Sequence, residues 1–201
     1  PDSSDRRLGR PRSLGAGGAV RLLVVGVGLF GRDVRNVLRD RGVHHDGPSD
    51  AMGDDALVVV VASRPALTVV HDLDANRQPF VPVWGYHGRL QIGPVVAPGG
   101  PCFSCYEARE RQHASNVAVH DAIREYWMRA VVPPPTAALQ ALTTVAANEI
   151  GQIHNAVVKE GITRVPHHLL GMVRRISGDG EVVEGRVVPM HGCRCGEGGA
   201  A

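Results

Sequence analysis

Residues 22–25 read Leu-Leu-Val-Val, an unbroken apolar run that ends in a glycine turn. Apolar residues on both faces of so short a segment predict a parallel strand covered on both sides. A helix is expected from the turn to about Asp40, with Val34, Val37 and Leu38 on one face and Gly42 as its C-terminal stop. The run from Ala56 to Pro65, Ala-Leu-Val-Val-Val-Val-Ala-Ser-Arg-Pro, predicts a second buried strand, and Pro65–Gln78 a short helix. From Phe80 to Gly100 the apolar pattern predicts two strands turned at Gly88. Residues Tyr106–Val131 are mostly polar and helical in period, and Pro133–Pro135 break that helix. Thr136–Lys159 carries the best amphipathic pattern, with Leu139, Leu142, Val145, Ala146, Ile150, Ile153 and Val157 on one stripe and Gly161 beyond its end. The segment from His168 to Met190 predicts two last strands around Gly178-Asp-Gly180, a hairpin signal. Strands alternating with helices predict an α/β fold with a Rossmann-like start.

At 201 residues, 43% of them hydrophobic and 21% charged, the chain has the makings of one globular domain. A net charge of +2 and 4% aromatic residues give no footing for nucleic acid or an anionic membrane surface. No apolar run reaches the roughly 18–20 residues needed to cross a bilayer. The arginine-bearing start, Pro-Asp-Ser-Ser-Asp-Arg-Arg, lacks the apolar core of an export signal, so the expected compartment is the cytoplasm. Residues 1–19 are expected to be a flexible tail, 20–196 the folded domain, and 197–201 a disordered tail.

Four cysteines are present, as Cys102-x-x-Cys105 and Cys193-x-Cys195, both beside glycine or proline. Short spacings let two thiolates from one loop reach one ion, and small residues let the backbone curl around it. All four therefore point to a closed structural zinc site, with no coordination position open for catalysis. A redox reading of Cys102 and Cys105 competes, but it leaves Cys193 and Cys195 without a role. Disulfides are disfavoured in a reducing compartment. His113, His120, His154, His167, His168 and His191 form no ligand pattern, although His191 is near enough to Cys193 to serve as a substitute ligand.

Gly26-Val-Gly28-Leu-Phe-Gly31 is a G-x-G-x-x-G turn between strand and helix, the geometry that cradles a pyrophosphate. The acidic residue that should end the following strand and hold a ribose is missing. Asp46, Asp50, Asp54 and Asp55 fall in the preceding loop instead. Gly26, Gly28 and Gly31 are thus either a vestigial phosphate loop or glycines that permit close strand–helix packing.

The order of these pieces resembles the E1-like (ThiF/MoeB) superfamily: a glycine-loop start, a buried strand ending Ala-Ser-Arg-Pro, a strand pair entering Pro-Cys-Phe-Ser-Cys-Tyr-Glu-Ala-Arg, and a terminal cysteine pair. Within it the chain is most similar to the degenerate ThiF-like proteins of thiazole/oxazole-modified microcin (TOMM) clusters, and the likeness runs over roughly residues 20–196. The resemblance implies a truncated Rossmann-like, ThiF-type fold with a zinc-clasped C-terminal β unit. It also implies a scaffold in azole peptide biosynthesis that partners a YcaO-type cyclodehydratase and helps present the precursor peptide. Adenylating relatives hold ATP with an acidic strand end and Asn, Arg and Lys residues. Here a short loop, Val43–Asp55, stands in that place, and no lysine precedes Lys159. ATP-dependent adenylation is therefore not expected. Such relatives bind leader peptides through a preceding winged-helix-like domain. Nothing of that kind is visible before Ala19, so it has been removed, or another chain supplies it, or this protein has a different task.

Two other functions stay open on the residues alone. One is an adenylating enzyme using Arg32 and Arg64 for phosphate; the other is a small nicotinamide-dependent oxidoreductase using the three glycines. The 136–159 helix and the 80–96 hairpin are candidate contact surfaces for a partner or for a second copy in a homodimer.

Overall fold

Three aliphatic runs form the parallel half of one sheet: β1 (Arg21–Val27), β2 (Ala56–Ala62) and β3 (Phe80–Tyr86). The computed structural model describes residues 20–43, 55–162, 165–193 and 195. Both expected tails, Asp46, Asp50, Asp54 and most of the 43–55 loop lie outside the described residues. The sheet continues antiparallel through β4 (Arg89–Ile92), β5 (Met172–Ile176) and β6 (Val182–Arg186), so the six strands lie in chain order. Every residue of β2 is buried, as expected of a parallel strand covered on both faces.

Two apolar layers cover the sheet. On one face α1 (Gly28–Asp40), α5 (Ala137–Ala141) and α6 (Thr143–Glu160) pack Phe30, Val34, Leu38, Leu139, Ile150 and Val157 onto Leu22, Val24, Val59 and Ile92. On the other, α2 (Leu67–Ala75) and α3 (Phe103–His113) pack Val70, Phe103 and Tyr106 onto Val58, Val60, Phe80 and Trp84. Helix α4 (Val117–Arg129) lies outside α2 and α3 and buries no residue fully; Trp127 is its main contact with that layer.

Three sequence expectations need correction. The single helix over 136–159 is two, because Leu142 leaves helical geometry between α5 and α6, and Thr136 caps the first by accepting from Leu139 N–H at 3.2 Å. Its apolar stripe is buried within the chain, so that stripe is not a contact surface for a partner. The helix over 106–131 is also two: α3 ends at His113, and Asn116 caps α4 through Val119 N–H at 3.1 Å. The second strand of the 80–96 hairpin ends at Ile92, and beyond it Val95 and Val96 make only isolated bridges.

The crossovers β1–α1–β2 and β2–α2–β3 step across the sheet in one direction, yet α1 and α2 cover opposite faces. Two right-handed crossovers stepping the same way would place both helices on the same face, so these two connections have opposite hands.

The glycine turn holds this layer together by close contact. A Cβ at Gly31 would lie 2.6 Å from both Gly26 Cα and the Val61 carbonyl oxygen, backbone that cannot retreat cheaply. Gly31→Ala is expected to destabilise the chain by about 1–3 kcal/mol through overpacking. Urea unfolding followed by circular dichroism checks this; an unchanged midpoint would show that the contact is slack.

Candidate metal centre

The cysteines converge because the first turn of α3 is buried. Phe103 is fully enclosed, with Trp84, Phe80, Tyr106 and His71 around its ring at centroid distances of 6.1, 6.1, 5.4 and 5.5 Å. Cys102 precedes the helix in extended conformation and its side chain caps nothing. The helix start is instead satisfied by Asp74, from the end of α2, which accepts from Phe103 N–H at 3.1 Å and from the Ser104 hydroxyl at 3.4 Å. Asp74 is a positioning residue without local sequence signal, since its partner lies far along the chain.

The C-terminal pair arrives by way of β6. Val187 N–H bonds the Gly171 carbonyl at 2.9 Å, and a turn then closes from Cys193 N–H to the Met190 carbonyl at 3.0 Å. Gly171 permits the approach at φ 70: a Cβ there would lie 2.5 Å from the Val187 oxygen and 2.7 Å from the Pro101 ring. Met190 N–H donates to Cys105 Sγ at 3.2 Å.

Cys102, Cys105, Cys193 and Cys195 thereby place all four Sγ atoms within 4.8 Å of one another. The shorter separations are 3.5 Å for Cys102–Cys193, 3.4 Å for Cys105–Cys195, 3.6 Å for Cys102–Cys105 and 3.3 Å for Cys193–Cys195. A sulfur tetrahedron around a zinc-sized ion, with metal–sulfur bonds of about 2.3 Å, has edges of about 3.8 Å, so the cage fits a single ion. These separations are far beyond the roughly 2.05 Å of a disulfide, and all four cysteines are free. His191 does not belong to the group. His154 lies 3.2 Å from the Val20 carbonyl oxygen and His120 3.2 Å from Asp121, away from the cysteines.

The backbone N–H and thiol of Cys195 donate to Cys193 and bring its thiol down to about 7. Burial pushes the Cys195 thiol up to about 11 and raises Cys102 as well. One negative charge is thus easily held and further ones are not, until an ion compensates them.

At the other end of the sheet, Gly28 begins α1 with φ 71, and Gly26 and Gly31 are in mutual contact. The segment after α4 lies over this turn: Val132 Cγ1 is 3.7 Å from where a Gly28 Cβ would sit, and the Ser63 hydroxyl donates to the Pro133 carbonyl. Arg64 is buried, donates to the Ala130 carbonyl and stacks on Tyr126. Asp55 pairs with Arg21 at 3.0 Å and does not face the turn's ligand side of the sheet.

Comparison with solved structures follows this architecture. The E. coli microcin synthetase McbBCD complex matches over 90% of this chain and 71% of the matched chain, with TM-score 0.61 and 12% identity. The chain has the E1-like fold. A heterocyclase in complex with substrate and cofactor matches this chain over 89% of its length with TM-score 0.61 and 22% identity. The heterocyclase TruD matches over 88% with TM-score 0.57 and 20% identity. The chain spans only 26% and 27% of those two heterocyclases. No protein-family model matches it, and no curated protein matches it by sequence. Among the described residues no helix is long and apolar enough to cross a membrane.

Helix α3 is also held by charge. Glu107 lies 3.2 Å from His71 Nε2 and accepts from Arg124 at 2.7 Å. Burial would raise its carboxyl, but these two partners outweigh it and hold the group below its ordinary value of 4.5. A depressed folded-state value means that Glu107 stabilises the fold above pH 4.5 and that this contribution is lost as pH falls through the lower folded value. Glu107→Gln is expected to lower stability at pH 7 and to flatten the loss on acidification below about pH 4.5. Thermal melts of both proteins across that range provide the check.

Proposed function

We propose that the E1-like chain is a zinc-stabilised, non-catalytic scaffold in azole peptide biosynthesis, which docks a YcaO-type cyclodehydratase and helps present its precursor peptide in the cytoplasm. The observation that carries this reading is the fold shared with a microcin synthetase complex over 90% of the chain. It is supported by the chain's own cover at the glycine turn, where Val132 lies against Gly28 and the Ser63 hydroxyl donates to the Pro133 carbonyl. A vestigial loop of this kind suits a partner protein better than an adenylating enzyme, which needs charge stabilisation of a triphosphate.

Zinc is the metal that the donor set favours: four thiolates at single-ion spacing, with no carboxylate or imidazole among them. Cys102, Cys105, Cys193 and Cys195 would hold it, and it would supply folding energy and no reaction step. Metal analysis of the purified chain is expected to give about one zinc per chain. Cys193→Ser should lose that zinc and lower the melting temperature; a stable, metal-free wild-type chain would refute the clasp.

For the scaffold itself, the purified chain is added to a YcaO-type cyclodehydratase and its precursor peptide. Heterocycle formation, read as loss of one water mass per ring, is expected to need this chain, while calorimetry shows no micromolar ATP binding to the chain alone. Ring formation at the same rate without it, or pyrophosphate exchange catalysed by the isolated chain, would overturn the reading.

A further inference from the structure

The outer strand of the sheet is open. No described residue pairs with the free side of β6, and all five of its residues are exposed. The ladder shows which backbone groups are unused. Val187 N–H bonds the Gly171 carbonyl and Ser177 N–H bonds the Glu181 carbonyl, so odd-numbered residues face β5. The N–H and C=O groups of Val182, Glu184 and Arg186 therefore face outward. Of the devices that blunt such an edge, Val-Val-Glu-Gly-Arg has the charges of Glu184 and Arg186 but no lysine or proline. The opposite edge differs, since Leu22, Leu23 and Val24 of β1 are buried.

Beside β6 runs a groove of about 400 Å³, between the strand and α3. Val173, Val183, Gly185 and Val187 contribute its floor, and Arg109 and His113 line it from α3. At Gly185 a Cβ would meet nothing within 4 Å, so the floor there is bare. Among the charged side chains that line the groove, Arg109, Arg175 and Arg186 outnumber Glu110 and Glu184. Glu110 is engaged by the Tyr86 hydroxyl at 2.7 Å and by Arg175 at 2.9 Å. Glu184 is bonded to Arg174, which also pairs with Glu149 of α6 on the other face. Arg109 bonds only the neutral Gln112 through Nη1, at 3.1 Å, and its Nε is buried with no hydrogen-bond partner among the described residues. The groove thus carries surplus positive charge and an unmet donor next to a row of free backbone groups.

We propose that β6 receives an extended, acidic polypeptide segment, which adds to the sheet as a further strand and sets a carboxylate on Arg109. Backbone pairing supplies the hold, alternate side chains enter the groove, and the guanidinium selects the charge. The inference stands on the strand edge and the groove, and goes beyond the scaffold reading without depending on it.

Fluorescence anisotropy on the full, metal-loaded chain tests it with a labelled octapeptide of alternating valine and glutamate. Two control probes are the same peptide with lysine for glutamate, and the glutamate peptide N-methylated at every residue. Saturable binding of the glutamate peptide is expected, weaker by at least about tenfold for either control probe and for the variants Arg109→Glu and Val182→Pro. Should Val182→Pro fail to fold by circular dichroism, the N-methylated probe carries the backbone arm alone. Absence of saturable binding overturns the proposal, as does equal binding of the lysine and glutamate peptides or insensitivity to N-methylation. A dimer by sedimentation that Val182→Pro dissociates, showing β6 covered by a second copy of the chain, overturns it too.

Discussion

Phe103 sits at zero exposure among Trp84, Phe80 and Tyr106, and this burial fixes the direction of the thiols on either side of it. An aromatic side chain of that size, enclosed on all sides, contributes on the order of 3 kcal/mol of burial and admits few rotamers. With the ring pinned, Cys105 is held on the inner side of the first helical turn and Cys102 just before it, bracketing the space that Cys193 and Cys195 enter. The apolar layer under α3 is therefore also the base of the candidate metal centre. Asp74, Glu107 and Glu110 secure the same helix by polar contacts to α2, α4 and the sheet, so its position is overdetermined.

A second constraint acts at the far end of the sheet. Strand β1 and helix α1 approach so closely at Gly26 and Gly31 that no side chain fits between them. In a nucleotide-binding protein the space above such a turn receives phosphate. Here Val132 lies against it, the Pro133 carbonyl accepts from Ser63, and Arg64 donates through Nη2 to the Ala130 carbonyl and stacks on Tyr126, while its Nε and Nη1 are buried with no hydrogen-bond partner among the described residues. The two ends of the molecule thus differ in kind. One gathers four ionisable thiols, and the other brings the Val132 side chain against the glycine turn and buries the Arg64 guanidinium.

Much of this was legible in residue order. The buried run of β2, the glycine turn and the Gly178-Asp-Gly180 hairpin are short-range signals, each governed by residues within a few positions of one another. The cysteine pairs belong with them, since a two- or three-residue spacing constrains thiol geometry without help from the rest of the fold. The break at Leu142 was not legible: the apolar stripe runs through it unbroken, because α5 and α6 press on the same layer. The end of β4 at Ile92 escaped too, because Val95 and Val96 are as apolar as a strand and as buried. Gln91, fully enclosed and bonded to Tyr106 and Arg175, reads in the sequence as an ordinary surface residue.

Local patterning by itself determined which segments would be strands, where glycine was required and which side chains are candidate metal ligands. It did so because pleat, turn and thiol spacing depend on neighbours along the chain. Only the tertiary structure decided which segments carry the two cysteine pairs into one cage, that the crossovers have opposite hands, that Val132 lies against the glycine turn, and that no described residue pairs with the outer side of β6. Those outcomes rest on contacts between residues tens of positions apart. Burial says that a residue must be covered, and the packing of distant segments says by what.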